Sequence, residues 1–197
     1  MSTTRFSARD LAQVAVFAAL IAALGLPGSI TVGISGVPIT LQTLGVIAAG
    51  AVLGARKGAA AVLVLLALVA IGLPLLAGGR GGLGVFAAPS VGYLVGWVVG
   101  AFVICALTRL IVPAYPLWAG LLVNAVGGIA VIYVFGILGL LVRTDLGIGA
   151  AIASTGAYVP GDALKVVVAT IVAKGVHRAY PGLIAPRRRV AARTSTV

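Results

Sequence analysis

The chain is poor in the residues that most enzymes and metal sites use. It has no glutamate, three aspartates, one histidine and one cysteine, and only 9% of its 197 residues are charged. Cys105 and His177, each the single residue of its kind, provide neither a disulfide nor a metal-ligand set, and we expect His177 to be solvated or lipid-facing. The sequence therefore predicts a protein that is not an enzyme and has no metal or cofactor. An intramembrane enzyme is a distant alternative, which an assay for ligand turnover distinguishes.

The chain is instead rich in hydrophobic residues. They make up 61% of the chain and give a mean hydropathy of +1.23, whereas a soluble domain has roughly 25% charged residues. Apolar blocks near the length of a membrane-spanning helix, about 20 residues, predict an all-α integral membrane protein, a bundle of six transmembrane helices. The predicted spans are 10–26, 39–54, 58–76, 90–108, 117–141 and 161–177. We expect one substrate-binding membrane domain, residues 1–180, and a basic cytoplasmic tail, residues 181–197.

The basic residues predict the orientation of the bundle. With a cytoplasmic N-terminus, eleven of the fourteen Lys and Arg residues lie inside, and Arg80, Arg143 and Lys165 lie outside. This bias follows the positive-inside rule, so both termini are predicted to be cytoplasmic and the protein to reside in the inner membrane. The net charge of +11 and the run Arg187–Arg189 are also compatible with nucleic-acid binding. A basic tail after the last membrane span, however, more often determines topology or contacts anionic lipid. We expect a lipid bilayer and no nucleic acid as partner.

Three connectors rich in glycine, 27–38, 77–92 and 143–161, are all predicted to be external. Long loops in a small protein are typical of binding sites, so we expect the site to face outward. Asp162 and Lys165 are three residues apart and share one face of a helix. Because a charge at membrane depth costs about 2.5–3.5 kcal/mol on insertion scales, we interpret them as a functional pair. The alternative is a helix-terminal aspartate with an incidental partner.

Arg80 and several neutral polar residues complete the predicted site. Four glycines surround Arg80 and let its guanidinium swing onto a ligand carboxylate; the alternative is a solvated arginine in a flexible loop. The surplus positive charge predicts an anionic small molecule as ligand. The other candidates are polar residues in positions unfavourable for lipid contact: Thr40, Gln42, Thr43, Tyr93, Asn124, Tyr133 and Tyr158. For Asn124 the alternative is an interhelical hydrogen bond, and for the tyrosines an interfacial aromatic belt.

Three motifs occur in a fixed order along the chain. They are Val-Pro-Ile-Thr-Leu-Gln-Thr at 37–43, Gly-Gly-Arg-Gly-Gly at 78–82 followed by Pro-Ser-Val-Gly-Tyr-Leu at 89–94, and Pro-Gly-Asp-Ala-Leu-Lys at 160–165. Together, on a frame of six spans, they resemble the BioY family, the biotin-binding subunits of energy-coupling-factor (ECF) transporters, from Ala8 to about Tyr180. One departure is Ala88-Pro89-Ser90, where the family more often has Gly-Pro-Thr; it affects loop geometry more than the substrate.

The resemblance implies a substrate-capture (S) component that binds biotin from the outside with high affinity. It also implies a transmembrane coupling subunit and two ABC-type ATPases as partners, and the chain has no Walker A motif with which to bind ATP itself. Our hypothesis assigns the ureido N–H groups of biotin to Asp162 and its carboxylate to Arg80, with or without Lys165. The alternatives are an S component for another small anionic vitamin and a biotin carrier that works without the ATPase module.

Small residues on the first span predict a contact surface. Ala15 and Ala19 belong to a strip of alanines at helical spacing, from Ala8 to Ala23, that lets another helix approach closely. The resemblance implies that the coupling subunit docks on such a strip, and the alternative is packing inside an alanine-rich bundle. We assign two further pairs of glycines, at 50 and 54 and at 96 and 100, to packing within the bundle.

Overall fold

Helices form most of the chain in the computed structural model, which describes residues 6–31 and 35–184. The helices are α1 (Ala8–Ala23), α2 (Gln42–Leu53), α3 (Ala55–Ala70), α4 (Val91–Ile111), α5 (Leu117–Ala125), α6 (Ile132–Arg143), α7 (Ile148–Gly156) and α8 (Val159–Ala179). A 3-10 turn, Leu83–Phe86, precedes α4, and a π-helical segment, Val126–Val131, joins α5 to α6 without a break. Arg5, Arg193, the run Arg187–Arg189 and most of the predicted tail lie outside the described residues.

Two of these helices are long and apolar enough to cross a membrane, namely α4 and the continuous helix Leu117–Arg143. Helices α7 and α8 meet the same criteria together but bend by 50° at their junction. At 1.5 Å per residue, the 16 residues of α1 and of α3 extend about 24 Å and the 12 residues of α2 about 18 Å, less than a hydrocarbon core of roughly 30 Å. Length and composition alone thus identify two spans among the described residues, or three with the bent pair.

All three predicted connectors contain regular structure, and the 3-10 turn Leu83–Phe86 lies in the connector 77–92. In the first, Ile30–Thr31 (β1) pairs antiparallel with Pro38–Ile39 (β2), so a small two-stranded sheet accompanies the helices. The segment 143–161, predicted as a loop, contains the nine-residue helix α7. Its glycines lower helix propensity, but Ala151 at its centre is fully buried, so tertiary packing outweighs that local preference.

Close packing around α4 depends on glycine. A Cβ added at Gly50 of α2 would lie 2.7 Å from the carbonyl oxygen of Ala101, and one at Gly100 would lie 2.6 Å from a carbonyl oxygen of the π-helical segment. Gly96 is similarly close to the backbone of α6, so the prediction that these glycines pack within the bundle is confirmed. Gly54 instead forms the turn between α2 and α3, with a φ of +98° that favours glycine.

Loops and charges are brought to opposite ends of the bundle. One end, which we call the loop-rich end, contains residues 35–43, Arg80 and the start of α8. The other, which we call the basic end, contains Arg9, the α2–α3 junction with its cations, Arg109 and residues 179–184. The fold thus places Arg80 and the glycine-rich loops at one end of the bundle and most of the described basic residues at the other.

His177 is buried near the basic end, so the prediction of a solvated or lipid-facing side chain is wrong. The residue is 6% exposed, and its Nε2 lies 2.8 Å from the carbonyl oxygen of Ala51. The final carbonyls of a helix lack partners within that helix, and α2 ends at Leu53. A tautomer with Nε2–H donates to Ala51, which explains why a polar ring is stable in this apolar position.

Candidate ligand-binding site

A pocket at the loop-rich end lies between α2, α4, α6 and α8, beneath residues 37–40. Its volume is about 50 Å³. The lining residues are Val37, Pro38, Ile39, Thr40, Gln42, Thr43, Arg80, Ser90, Tyr93, Leu94, Trp97, Ile132, Tyr133, Tyr158, Asp162 and Lys165. The structure therefore brings nine of the ten candidate residues of the predicted site to one pocket, and Asn124 is the residue that it places elsewhere.

The Asp162–Lys165 pair forms one wall of this pocket. Lys165 Nζ donates to Asp162 Oδ1 at 2.7 Å, and the hydroxyl of Tyr133 on α6 donates to Asp162 Oδ2 at 2.7 Å. Both charged residues are buried, with exposed fractions of 5% and 6%. Asp162 lies in the first turn of α8, where the helix dipole favours a carboxylate, and the spacing of three residues brings Lys165 to the same face.

Asp162 retains hydrogen-bonding capacity in this arrangement. An ionised carboxylate has about four acceptor positions, and the contacts with Tyr133 and Lys165 use two of them. Those contacts fix the orientation of the carboxylate and neutralise its charge. The carboxylate can therefore still accept hydrogen bonds from N–H or O–H groups of a ligand that enters the pocket.

Arg80 is held at the pocket by an ordered turn. Its backbone exchanges two hydrogen bonds of 3.1 Å with Leu76, across Gly78–Gly79, which both have positive φ. The guanidinium donates to Ser90 Oγ and to the carbonyl oxygen of Ala77, each at 3.2 Å. The glycines therefore build a tight turn, in contrast to the freely swinging arginine that we expected. Burial lowers the pKa of Arg80, although an arginine stays protonated in a protein.

Gln42 joins three backbone segments beside the pocket. Its Nε2 donates to the carbonyl oxygens of Ile21 at 3.1 Å and Leu75 at 3.0 Å, and its Oε1 accepts from the N–H of Ala77 at 2.9 Å. Thr40 Oγ1 accepts from the N–H of Gln42 at 3.2 Å, at the start of α2. The contacts of Gln42 stabilise the base of the Arg80 turn, and the contact of Thr40 stabilises the start of α2. Both side chains therefore also support the fold.

Tyr158 connects α8 to the segment that covers the pocket. Its hydroxyl donates to the carbonyl oxygen of Val37 at 3.1 Å and lies 2.7 Å from Ser35 Oγ. A tyrosine hydroxyl has one hydrogen, so Ser35 is the donor in the second bond. Tyr158 thereby holds residues 35–37 against the start of α8.

Aromatic rings form the remaining wall. The ring of Tyr158 meets those of Tyr93 and Tyr133 edge to face, with centroids 6.0 and 6.5 Å apart. Trp97, which is 7% exposed, also lines the pocket and was missed by sequence reasoning. Its position four residues after Tyr93 on one face of α4 is the signal that could have revealed it.

Asn124 lies away from the pocket, in the interior between α5 and α8. Its Nδ2 donates to Thr170 Oγ1 at 2.9 Å and to the hydroxyl of Tyr115 at 3.2 Å. Thr170 belongs to α8, so the interhelical hydrogen bond that was the alternative for Asn124 is present. The residue is fully buried, and these contacts satisfy its amide nitrogen, whereas its Oδ1 has no hydrogen-bond partner among the described residues.

Helix α1 presents its alanine strip outward. The buried residues of α1 are Val14, Ala18 and Ile21, whereas Ala15 and Ala19 are exposed. Ala15 and Ala19 therefore do not pack inside the bundle, which was the alternative for them. They form an accessible surface of small side chains.

The chain is similar to known proteins over most of its length. The model of the BioY family matches residues 1–182 of the chain. The "Biotin transporter BioY" of Rhizobium etli is 50% identical over 182 residues, which cover 89% of this chain and 96% of that protein. Its counterpart in Rhodobacter capsulatus is 44% identical over 188 residues, 91% and 98% of the two chains. A crystal structure of "the S-component for biotin from an ECF-type ABC transporter" has a TM-score of 0.84 at 28% identity and covers 90% of this chain and 95% of that one.

Proposed function

The chain belongs to the BioY family, and from this premise we propose that it is the high-affinity biotin-binding S component of an ECF-type uptake transporter. The observation that carries the proposal is the convergence of Asp162, Lys165 and Arg80 on one pocket with an aromatic wall. Biotin has a ureido group at one end, an apolar ring and chain, and a carboxylate at the other end. Each part has a matching group in the pocket.

The ureido group is assigned to the Asp162–Lys165 pair. Asp162 has acceptor positions left for the two ureido N–H groups, and Lys165 has two hydrogens beyond the one used on Asp162. Because Lys165 Nζ lies 2.7 Å from Asp162, both charges act at the same end of the ligand. We therefore assign Lys165 to the ureido carbonyl oxygen and not to the carboxylate.

The carboxylate of biotin is assigned to Arg80. A guanidinium binds a carboxylate with two parallel N–H bonds, and the turn at Gly78–Gly79 presents this one at the pocket. Ser90 is close enough to donate a further hydrogen bond, since its Oγ lies 3.2 Å from Arg80 Nη1. The apolar parts of biotin then lie against Tyr93 and Trp97.

Binding requires the covering segment to move. Sites for small organic ligands have volumes of about 300–1,000 Å³, and this pocket has about 50 Å³. The segment that covers it, residues 37–40, is held at its start by the hydroxyl of Tyr158, which bonds to Ser35 and Val37. We infer that these bonds break when biotin enters and that the segment then closes over the ligand.

The proposed topology has six spans in the inner membrane with both termini in the cytoplasm, and residues 1–180 form the membrane domain with a basic tail after it. Its support is the separation of charges, because the described lysines and arginines apart from Arg80, Arg143 and Lys165 are at or near the basic end. The basic end then faces the cytoplasm, and the pocket faces the outside. The protein is a carrier subunit, with biotin as substrate and no resident cofactor.

Energy comes from partner subunits in this proposal. The exposed strip with Ala15 and Ala19 contacts the transmembrane coupling subunit, and two ABC-type ATPases drive delivery inward. Uptake in a host without the ATPase module would show instead that the chain works alone as a carrier. Uptake that depends on the module would support the S-component assignment.

Calorimetry on the purified full chain tests the substrate. We expect saturable heat with one biotin per chain, no competition from other small anionic vitamins, and no chemical change in the recovered ligand. Absence of heat with biotin, or stronger binding of another vitamin, would overturn the assignment. Asp145→Asn, in an exposed loop at the same end, is the matched control for variants of Asp162.

A further inference from the structure

Two side-chain hydrogen bonds connect α8 to the continuous helix Leu117–Arg143. At the pocket, Tyr133 donates to Asp162 Oδ2 at 2.7 Å. Deeper in the bundle, Asn124 donates to Thr170 Oγ1 at 2.9 Å. These two contacts are nine residues apart on the continuous helix but eight residues apart on α8. The two antiparallel helices therefore differ by one residue in their register, the spacing between the same two contacts.

The difference of one residue matters because successive side chains turn around the helix axis. A regular α-helix turns by about 100° per residue, so residues eight apart differ by about 80° and residues nine apart by about 180°. Asp162 and Thr170 are thus on neighbouring faces of α8. In a regular α-helix, however, Asn124 and Tyr133 would be on opposite faces, and only one of them could reach α8.

The π-helical segment Val126–Val131 lies between these two residues. Its hydrogen bonds join residues five apart instead of four, so a π-helical turn takes up one more residue than an α-helical turn. Nine residues that include this turn therefore have about the phase of eight residues in a regular α-helix. We propose that the π-helical segment is a positioning element of the ligand site. By absorbing one residue, it directs Tyr133 to Asp162 while Asn124 stays on Thr170.

Two glycines allow the wide turn to fit inside the bundle. A Cβ added at Gly127 would clash with the side chain of Ile104 on α4. One added at Gly128 would lie 2.6 Å from Ile47 Cγ1 on α2. Because neither glycine has a side chain, the π-helical segment can lie directly against both neighbouring helices.

This inference rests on the proposed function, since Tyr133 acts on the ligand through Asp162. Tyr133 fixes one oxygen of the carboxylate and Lys165 fixes the other. The acceptor positions left for the ureido N–H groups therefore have a defined direction before biotin enters. Tyr133 is in this sense a positioning residue, because without its hydroxyl the carboxylate has to be ordered when biotin binds.

Deletion of Val126 tests the register. It retains both glycines and leaves the two contacts eight residues apart, so the helix can become a regular α-helix and still make both contacts with α8. We expect this variant of the full chain to fold and to bind biotin with unchanged affinity in calorimetry.

Deletion of Val134, an exposed valine in the regular part of α6, is the matched control. It turns the rest of α6 by about 100°. Gly139, where an added Cβ would lie 2.6 Å from the Cα of Gly92, then leaves α4. This control should lose biotin binding. Equal losses in the two deletions, whether from misfolding or from weaker binding, would overturn the proposal.

Tyr133→Phe, made both in wild type and in the Val126 deletion, tests whether the contact with Asp162 is kept. Because it removes one hydrogen bond, it should lower biotin affinity about 2- to 10-fold in both backgrounds. No effect in wild type would overturn the positioning role of Tyr133, and an effect in wild type alone would overturn the register.

Thermal unfolding separates failure of this inference from failure of the proposed function. If wild type does not bind biotin, the proposed function is overturned, and the unfolding temperature then measures the register without a ligand. Tyr133→Phe should lower that temperature equally in wild type and in the Val126 deletion, since the bond to Asp162 is present in both. A decrease in wild type alone would overturn the register.

Discussion

The aspartate–lysine pair at the loop-rich end is buried, whereas the pair at the basic end is open to water. The side chains of Asp162 and Lys165 are each 8% exposed and their charged atoms lie 2.7 Å apart. The side chains of Asp10 and Lys57 are 31% and 19% exposed and lie 3.0 Å apart. The same two residue types therefore meet in two different environments within one bundle.

The difference in burial indicates a difference in role. An exposed pair contributes little to stability, and the pair at the basic end simply connects α1 to the start of α3. A buried pair loses the hydration of both charges, a cost that often exceeds their mutual attraction, so an apolar pair of similar size would stabilise the bundle as well or better. The burial of Asp162 and Lys165 is therefore best explained by a ligand that uses both.

Asp162→Asn should have the largest effect on biotin affinity. In the proposed site the substitution replaces an ionised acceptor of two ureido N–H groups, and hydrogen bonds to charged groups contribute about 1.5–3 kcal/mol each, so we expect a loss of at least roughly 100-fold. It also leaves Lys165 buried without its counter-ion, which should destabilise the fold by about 3–5 kcal/mol. Calorimetry with biotin and thermal unfolding measure the two effects. Asp10→Asn, the equivalent change at the basic end, should leave biotin affinity unchanged; a similar loss in both variants would contradict the comparison.

Arg80→Gln should have the next largest effect, and it should depend on the ligand carboxylate. Loss of the charged hydrogen bonds to the carboxylate should lower biotin affinity about 10- to 100-fold. Wild type should bind biotin more tightly than biotin amide, and the variant should bind the two alike. Arg143→Gln removes an exposed arginine from the same end and should retain the discrimination. If Arg80→Gln still prefers biotin over its amide, the carboxylate contacts another residue.

Tyr158→Phe should have a smaller effect, on rates more than on affinity. The variant loses the bonds to Ser35 and Val37 that hold the covering segment. Ser35 can turn its hydroxyl hydrogen to another acceptor, so the net loss is about that of one hydrogen bond, 0.5–1.5 kcal/mol, and biotin should dissociate about 2- to 10-fold faster. Stopped-flow measurement of dissociation checks this result. Tyr180→Phe, an exposed tyrosine at the basic end, is the control and should match wild type, whereas an unchanged rate in Tyr158→Phe would show that these bonds do not hold the segment.

The buried pair was predictable from sequence because its geometry is local. Asp162 and Lys165 are three residues apart, and helical periodicity alone places them on one face. Arg80 was predicted to be at the site but not to be held in an ordered turn, because the pairing of its backbone with Leu76 depends on the φ values of Gly78–Gly79. Helix positions followed from hydropathy, but α7 did not, because its formation depends on burial of Ala151 against other helices.

Polar residues within the bundle were harder to interpret, because their partners are distant in sequence. Asn124 meets Thr170, 46 positions away, and His177 meets the carbonyl of Ala51, 126 positions away. No local pattern distinguishes such a residue from one that binds a ligand, since both are polar groups in an apolar stretch. The structure distinguishes the two cases, because it shows which polar residues line a common pocket and which, like Asn124 and His177, bond to another helix inside the bundle.

Trp substitutions on α1 should have no effect on biotin affinity while abolishing uptake, and so separate binding from coupling. Ala15→Trp/Ala19→Trp fills the exposed strip with bulk, which should prevent close approach of the coupling subunit. Val16→Trp/Leu20→Trp places the same two side chains at the same spacing on a neighbouring exposed face, and should retain uptake. Uptake of labelled biotin in cells with the ATPase module, together with calorimetry on each purified variant, measures both properties. If the two double variants lose uptake equally, the strip has no special role and the coupling surface includes the wider face of α1.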